Sequence, residues 1–400
     1  MTGSGPLDWT RRGGGPARST FLELFFDLVF VLALTQLSSS LVDHLNWSGA
    51  YRTLVLVMAV WWTWAITIWV TDQYEASQVG LQVLVLTNMF GVLVMAVSAR
   101  GAYDGQGEVF AAAYVGIHIV RGLVLVPAAR RARVRYRPLR ILVWFVVSSP
   151  LWLAGGLVHG PARVILWTLG LVLDYGAAAL RWPLPLLGRS PDSEWNFGAE
   201  HISERYRQMF IIALGDTILT TGLSYVATPS TAARAAALVL CFVTTVLLWQ
   251  IYFRFAAALL ASSLATGQSS ARLARVAVYH HLLMVLGIVL TAVGNEVTIS
   301  HPLSAERPGW MLPIVGGPAL FLVGRILFGR LVLRHVSPSR VAGLILLLLL
   351  TPAALSMPPL AVTAATVAVL ILTLMPNLFQ GLARVFHEPL PQGEEAPTRG

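Results

Sequence analysis

Acids, arginines and histidines that fall inside long apolar runs are the residues of this chain best suited to chemistry. A charged side chain at bilayer depth costs about 2.5–3.5 kcal/mol on insertion scales and normally faces a bundle interior or a water-filled cavity. At 1.5 Å per helical residue, Asp27 sits roughly 9 Å inside the first run and Arg121 roughly 10 Å before the end of the fourth. Asp174, Gln208, His280, His281 and Arg325 fall within about 5–12 Å of the same boundary. Matching depths predict two buried acid–arginine pairs, Asp27 with Arg121 or failing that Arg325, and Asp174 with Arg325. Such pairs either clamp helices in register or line a water-accessible vestibule for an ion or polar solute. Glu23 and Asp27, at i and i+4, share a helix face on which two carboxylates can share a proton. Gln36, deeper in the same run, is a further candidate for a substrate or ion pathway.

Asp216 stands apart, about 16 Å into the seventh run and near the midplane, with no arginine at its level. It is either a neutral acid hydrogen-bonded to a neighbouring helix or a proton-titrating or cation-binding site. His201 and Glu204 are spaced i, i+3, as two metal ligands would be, but a pair alone makes no metal site and none is assigned. The same segment reads as an entry cap for the seventh run, through Ser203 or Glu200. His118 reads as a packed imidazole, and Trp61, Trp62, Trp64 and Trp69 as packing and interfacial anchors. No Walker loop, dinucleotide fingerprint, zincin helix or nucleophile elbow occurs in a fitting context. No catalytic constellation and no cofactor is therefore expected.

The elements that position these residues follow from composition. The 400 residues are 56% hydrophobic and 12% charged, with a mean hydropathy of +0.70. That composition belongs to a chain solvated by lipid. Lipid offers the backbone no hydrogen-bond partners, so spans must be helices or a closed barrel, and the barrel's ten-residue alternation is missing. Apolar runs near 21–41, 52–71, 78–98, 109–128, 140–158, 163–181, 205–225, 233–256, 274–294, 311–333, 340–356 and 359–379 give about twelve transmembrane helices. The last two are parted only by Met357-Pro358-Pro359, which would leave eleven if they were one interrupted element.

All 28 basic residues are arginine, and the net charge is +9. They lie between the apolar runs and form no groove-reading motif, so nucleic acid is not a partner. With the N-terminus inside, twenty arginines face the cytoplasm, while Arg52, Arg100, Arg163, Arg234 and Arg307 face out and Arg121, Arg254 and Arg325 fall within spans. Both termini are thus expected in the cytoplasm of a bacterial cell. Arg11, Arg12 and Arg18 lead into the first span without a small-residue cleavage site, as in a cytoplasmic tail. The single cysteine, Cys241, lies inside an apolar run.

The first and seventh runs align at an offset of 181, with Leu34-Thr35-Gln36 opposite Gly215-Asp216-Thr217. Gly91 falls opposite Gly287, and Arg121 opposite Arg325. This predicts a 6+6 parallel internal repeat related by an axis along the membrane normal. The expected organisation is an all-α polytopic membrane protein with a tail at 1–20, a first half at 21–181, a cytoplasmic linker at 182–204, a second half at 205–380 and a tail at 381–400.

Phe21-Leu22-Glu23-Leu24-Phe25-Phe26-Asp27-Leu28-Val29-Phe30-Val31, ending in Thr35-Gln36-Leu37-Ser38, resembles the opening signature of the bacterial low temperature requirement protein A family. His201-Ile202-Ser203-Glu204-Arg205 followed by Ile211 to Ile218 resembles that family's second signature, with Asp216-Thr217 where members commonly have Glu-Ser. Tyr279-His280-His281-Leu282 with Gly287 and Ala292-Val293-Gly294 is similar to a third block. The family is named for growth in the cold, and the resemblance implies no established activity. The Phe26-Asp27 opening and six-plus-six layout are also similar to lysosomal and bacterial potassium channels whose first helix carries Phe-Ser-Asp.

The leading functional expectation is a secondary transporter or permease that couples a proton or ion to an unknown small solute through buried acids. An ion channel is the first alternative, and a membrane enzyme or structural envelope protein the next. The lipid bilayer is the expected partner, and nothing in the sequence excludes an oligomer.

Overall fold

A computed structural model describes residues 20–75, 77–129, 136–195, 198–253, 270–304, 308–333 and 336–387. The tails beyond them, and Arg130, Arg131, Arg133, Arg135, Arg254, Arg307 and Arg334, lie outside the described residues.

Among the described residues the chain forms twelve α-helices and no strand. The first six are α1 (Phe21–Asp43), α2 (Trp47–Gln73), α3 (Val79–Ala99), α4 (Gly107–Ala128), α5 (Arg137–Leu157) and α6 (Pro161–Ala179). The second six are α7 (Ala199–Val226), α8 (Ala232–Phe253), α9 (Ser270–Ser300), α10 (Met311–Leu333), α11 (Pro338–Ala354) and α12 (Pro359–His387). Ten of them are long and apolar enough to cross a membrane, and α11 and α12 carry shorter apolar stretches.

Local chemistry sets the starts. Thr20 and Glu23 form a reciprocal capping box at α1, and Asn46 accepts from Gly49 N at 2.9 Å to cap α2. Pro161, Pro338 and Pro359 open α6, α11 and α12, where a missing N–H costs nothing. Pro358 and Pro359 are also why α11 and α12 are two helices.

The outward faces are apolar. On α3, Val79, Val83, Leu86, Phe90, Leu93 and Val97 recur every three to four residues and are all exposed, while Leu81, Leu84, Val85 and Asn88 are buried. In water that face would be a liability; against acyl chains it is the expected surface. Association between such helices relies on close packing, and Gly287 provides it: a Cβ there would lie 2.5 Å from Phe321 N of α10.

The neighbours run in one order in both halves. α1 packs on α3, α3 on α4, α4 on α5 and α5 on α6, with α2 between α1 and α6. α7 packs on α9, α9 on α10, α10 on α11 and α11 on α12, with α8 between α7 and α12. The halves meet chiefly where α1 contacts α7 and α9. We call the end of the bundle at which α1 begins the near end, and the opposite one the far end. At the near end, the segment after α6 folds into a cap over α5: Arg140 pairs with Glu194 at 2.9 Å and donates to Leu187 O at 2.8 Å, and Arg137 donates to Glu194 O. Its tight path needs left-handed backbone at Arg181, Trp182 and Leu186.

Candidate functional site

The polar residues of α1, α2 and α7 converge at the near end. His201, fully buried in the first turn of α7, points Nε2 at Glu23 Oε1 of α1 (2.9 Å) and Nδ1 at Asp72 Oδ1 of α2 (3.1 Å). Both ring nitrogens face carboxylates, so two protons bridge the three side chains, and the triad carries one net negative charge whichever atoms hold them. Glu23 Oε2 also accepts from Thr20 N at 2.8 Å. Asp72 accepts from Gly198 N at 3.0 and 3.1 Å, which caps α7 from another helix. The expected cap from Ser203 or Glu200 is therefore replaced by Asp72; Gly198 is the N-cap residue, and no side chain of that segment caps it.

One turn further in, Arg205 of α7 donates to Asp27 Oδ1 at 2.6 Å, and Trp64 Nε1 of α2 donates to the same oxygen at 3.0 Å. Arg205 also donates to Gln208 Oε1 at 3.0 Å. Asp27 and Arg205 are fully buried. The expected Asp27–Arg121 pair is thus not formed, because α7 starts at Ala199 and its first turns bring Arg205 to the depth of Asp27. Arg121 instead donates to His118 Nδ1 (3.0 Å), Thr67 Oγ1 (2.8 Å) and Thr63 O (3.4 Å). A guanidinium can only donate, so His118 Nδ1 accepts and its ring proton is on Nε2.

The Asp174–Arg325 pair is likewise absent. Asp174 Oδ2 accepts from Tyr114 OH (2.8 Å) and Trp152 Nε1 (3.1 Å), within the first half. Arg325 donates to Ile251 O at 3.3 Å and lies over the Phe328 ring. α6 and α10 belong to different halves, so equal depth does not make these residues neighbours. His281 is a packed imidazole: it bonds Ala277 O through Nδ1 at 2.8 Å, meets Tyr252 OH at Nε2 (3.2 Å) and stacks on Tyr206 at 3.9 Å.

Asp216 lies deeper, where α7 crosses α1. Thr35 Oγ1 is 2.5 Å from Asp216 Oδ1 and 2.9 Å from Val31 O. Thr35 is roughly 21 Å along a helix about 33 Å long, a little beyond its middle. The Oδ2 atom of Asp216 has no hydrogen-bond partner among the described residues. Toward the far end the seam of α7, α8 and α9 continues in hydroxyls and an amide: Thr217 to Thr245 at 3.0 Å, and Asn295 to Thr221 at 3.2 Å. Toward the near end, Trp64, Tyr206, Phe210 and His281 fill the interior. Gln36 and Glu204 are half-buried on α1 and α7.

Asp72 and Arg205 were missing from the candidate residues read off the sequence. Asp72 follows the tryptophan-rich run directly and reads as a span end, while Arg205 reads as one more loop arginine. The block His201-Ile202-Ser203-Glu204-Arg205 was the signal for Arg205, since i and i+4 put His201 and Arg205 on one face.

A bundle of twelve helices with an apolar exterior and ionisable groups locked between its two halves is a polytopic α-helical membrane protein. Residues 18–375 match the model of the bacterial low temperature requirement A protein (LtrA), and the chain belongs to that family. It is 37% identical over 345 residues to an uncharacterized protein of Rhizobium meliloti (strain 1021), covering 85% of this chain and 84% of that protein.

Proposed function

We propose that the protein is a secondary transporter or permease of the bacterial cytoplasmic membrane, with both termini cytoplasmic, that couples a proton to solute movement through Asp216. The observation that carries this reading is the contrast between Asp216 and the other buried acids of the α1–α7 seam. Glu23, Asp27 and Asp72 each face a cation or a histidine. Among the described residues Asp216 has one neighbouring donor, a threonine whose single hydroxyl proton is also within reach of Val31 O. A protonated carboxyl suits that geometry, because it donates to Thr35 while Thr35 donates to Val31; a carboxylate would draw the hydroxyl proton to itself. Protonation therefore changes a contact on the seam between the halves, which is the element an alternating-access carrier must move. The chain of Thr217, Thr245, Thr221 and Asn295 supports proton access from the far side, and the aromatic plug supports closure of the near side.

Proton movement into proteoliposomes under an imposed solute gradient tests the reading. Asp216→Asn keeps the shape of the protonated acid and should leave the protein folded while abolishing the pH dependence of uptake. Flux with unchanged pH dependence would remove Asp216 from the mechanism, and conductance without coupling would favour a channel.

A further inference from the structure

We propose that the cleft between α2, α4 and α5 binds an amphiphilic organic anion, a carboxylate or phosphate head on an apolar chain. The cleft is open on one side and holds about 500 Å³ of empty space counted together with that opening, with His118 and Arg121 at its inner end and Gln73, Tyr74, Arg137 and Pro138 at the near end of the bundle. Among the described residues its charged lining is two arginines, and no acid lines it.

Arg121 is the key group. It is buried, forms no ion pair among the described residues, and leaves its Nε–H without a partner among them. A buried guanidinium without a counter-charge is costly, and an oxyanion is the group that would compensate it. The Tyr74 hydroxyl, buried on the same lining, also has no partner among the described residues. Arg137 is fixed as a second positive charge at the mouth, since it donates to Glu194 O at 2.9 Å and lies 4.0 Å over the Trp195 ring. The acids that face Arg137 are engaged elsewhere: Glu194 with Arg140 and Ser190, Asp72 with His201 and Gly198. Between the arginines and along the wall, Ile66, Val70, Leu125, Ile141 and Phe145 offer an apolar surface to a chain. The inference needs no transport and stands apart from Asp216.

The same head and chain chemistry belongs to free organic anions and to anionic phospholipids, so the test has two arms. Wild-type protein in phosphatidylcholine nanodiscs is titrated with decanoate, and the titration is repeated in discs containing phosphatidylglycerol, followed by native mass spectrometry. Saturable binding of decanoate is expected, weakened by about tenfold or more in Arg121→Met, as loss of a charge-assisted contact predicts. That variant also strips His118 Nδ1 of its donor, so Ile141→Trp, which fills the cleft and leaves both arginines, is run beside it and should show the same loss. Equal decanoate affinity in the two discs assigns the site to a free anion. Weaker decanoate binding in the phosphatidylglycerol discs, with one lipid retained on wild type and lost from Ile141→Trp, assigns it to the bilayer lipid. The proposal is overturned if Ile141→Trp binds both probes as wild type does, or if wild type binds neither.

Discussion

Asp27 and Arg205 are buried together with a 2.6 Å contact, and that burial decides what a single substitution does. Desolvation offsets most of the attraction in such a pair, but removing one partner strands the other charge in a low dielectric. Asp27→Asn should therefore lower stability by about 3 kcal/mol or more, and Arg205→Met by a similar amount. The double variant Asp27→Asn with Arg205→Met should recover part of the loss, and thermal unfolding of the four proteins in detergent closes the cycle. If the losses simply add, the pair is not a unit. By contrast, Asp43 and Arg100 pair at 2.6 Å with both side chains about half exposed, and Asp43→Ala should cost at most ~1 kcal/mol in the same assay. At this scale the sequence disclosed which residues were charged at depth but not whom they meet. Depth along a helix is one coordinate; the face of the helix and the neighbour across it are two more, and the packing of both halves sets them. Arg121 and Asp27 share a depth and nothing else, whereas Arg205, assigned to a loop, is the partner.

Elements were the most legible level, because lipid demands long apolar helices and marks them strongly. One informative shift came at α7, whose first six residues, Ala199 to Glu204, are mostly polar and lie before the apolar run although they are helical. Their polarity is satisfied by α1 and α2, a condition that no local pattern reports. What holds the helices together is also invisible to hydropathy, since it depends on small residues at close approach. Gly287 and Gly215 make the point by contrast. A methyl at Gly287 would meet Phe321 N of α10 at 2.5 Å, while nothing lies within 4 Å of a methyl at Gly215. Gly287→Ala should force α9 and α10 apart and cost about 1–3 kcal/mol, whereas Gly215→Ala should be neutral or stabilise by up to about 1 kcal/mol through helix propensity. Unfolding midpoints that rank the two the other way would refute the packing account.

For the whole molecule, the offset of 181 that aligns the first and seventh spans has a geometric counterpart: Thr35 and Asp216 are separated by 181 residues and touch. Equivalent positions of two halves meet each other only at the axis that relates them, so the contact, with the shared order of neighbours, supports a parallel duplication about an axis between α1 and α7. A parallel duplication sets the same ends of both halves on one side of the membrane, and the arginines then decide which side that is. Arg137, Arg140, Arg181 and Arg275 gather at the near end around Glu194 and Asp192, while at the far end Arg52 and Arg163 meet Tyr103 and Ala102 and Arg234 meets Ile299 and Ser300. By the positive-inside rule we propose that the near end faces the cytoplasm. Leu186, fully exposed in the near-end cap, and Leu303, exposed beyond α9 at the far end, are suitable reporters. With Cys241, which is buried, replaced by alanine, a cysteine introduced by Leu303→Cys should react with a membrane-impermeant maleimide in intact cells. One introduced by Leu186→Cys should react only after the membrane is opened. The reverse labelling would invert the topology and would place the proposed proton entry beside Asn295 on the cytoplasmic side; labelling of both in intact cells would break the parallel arrangement of the two halves.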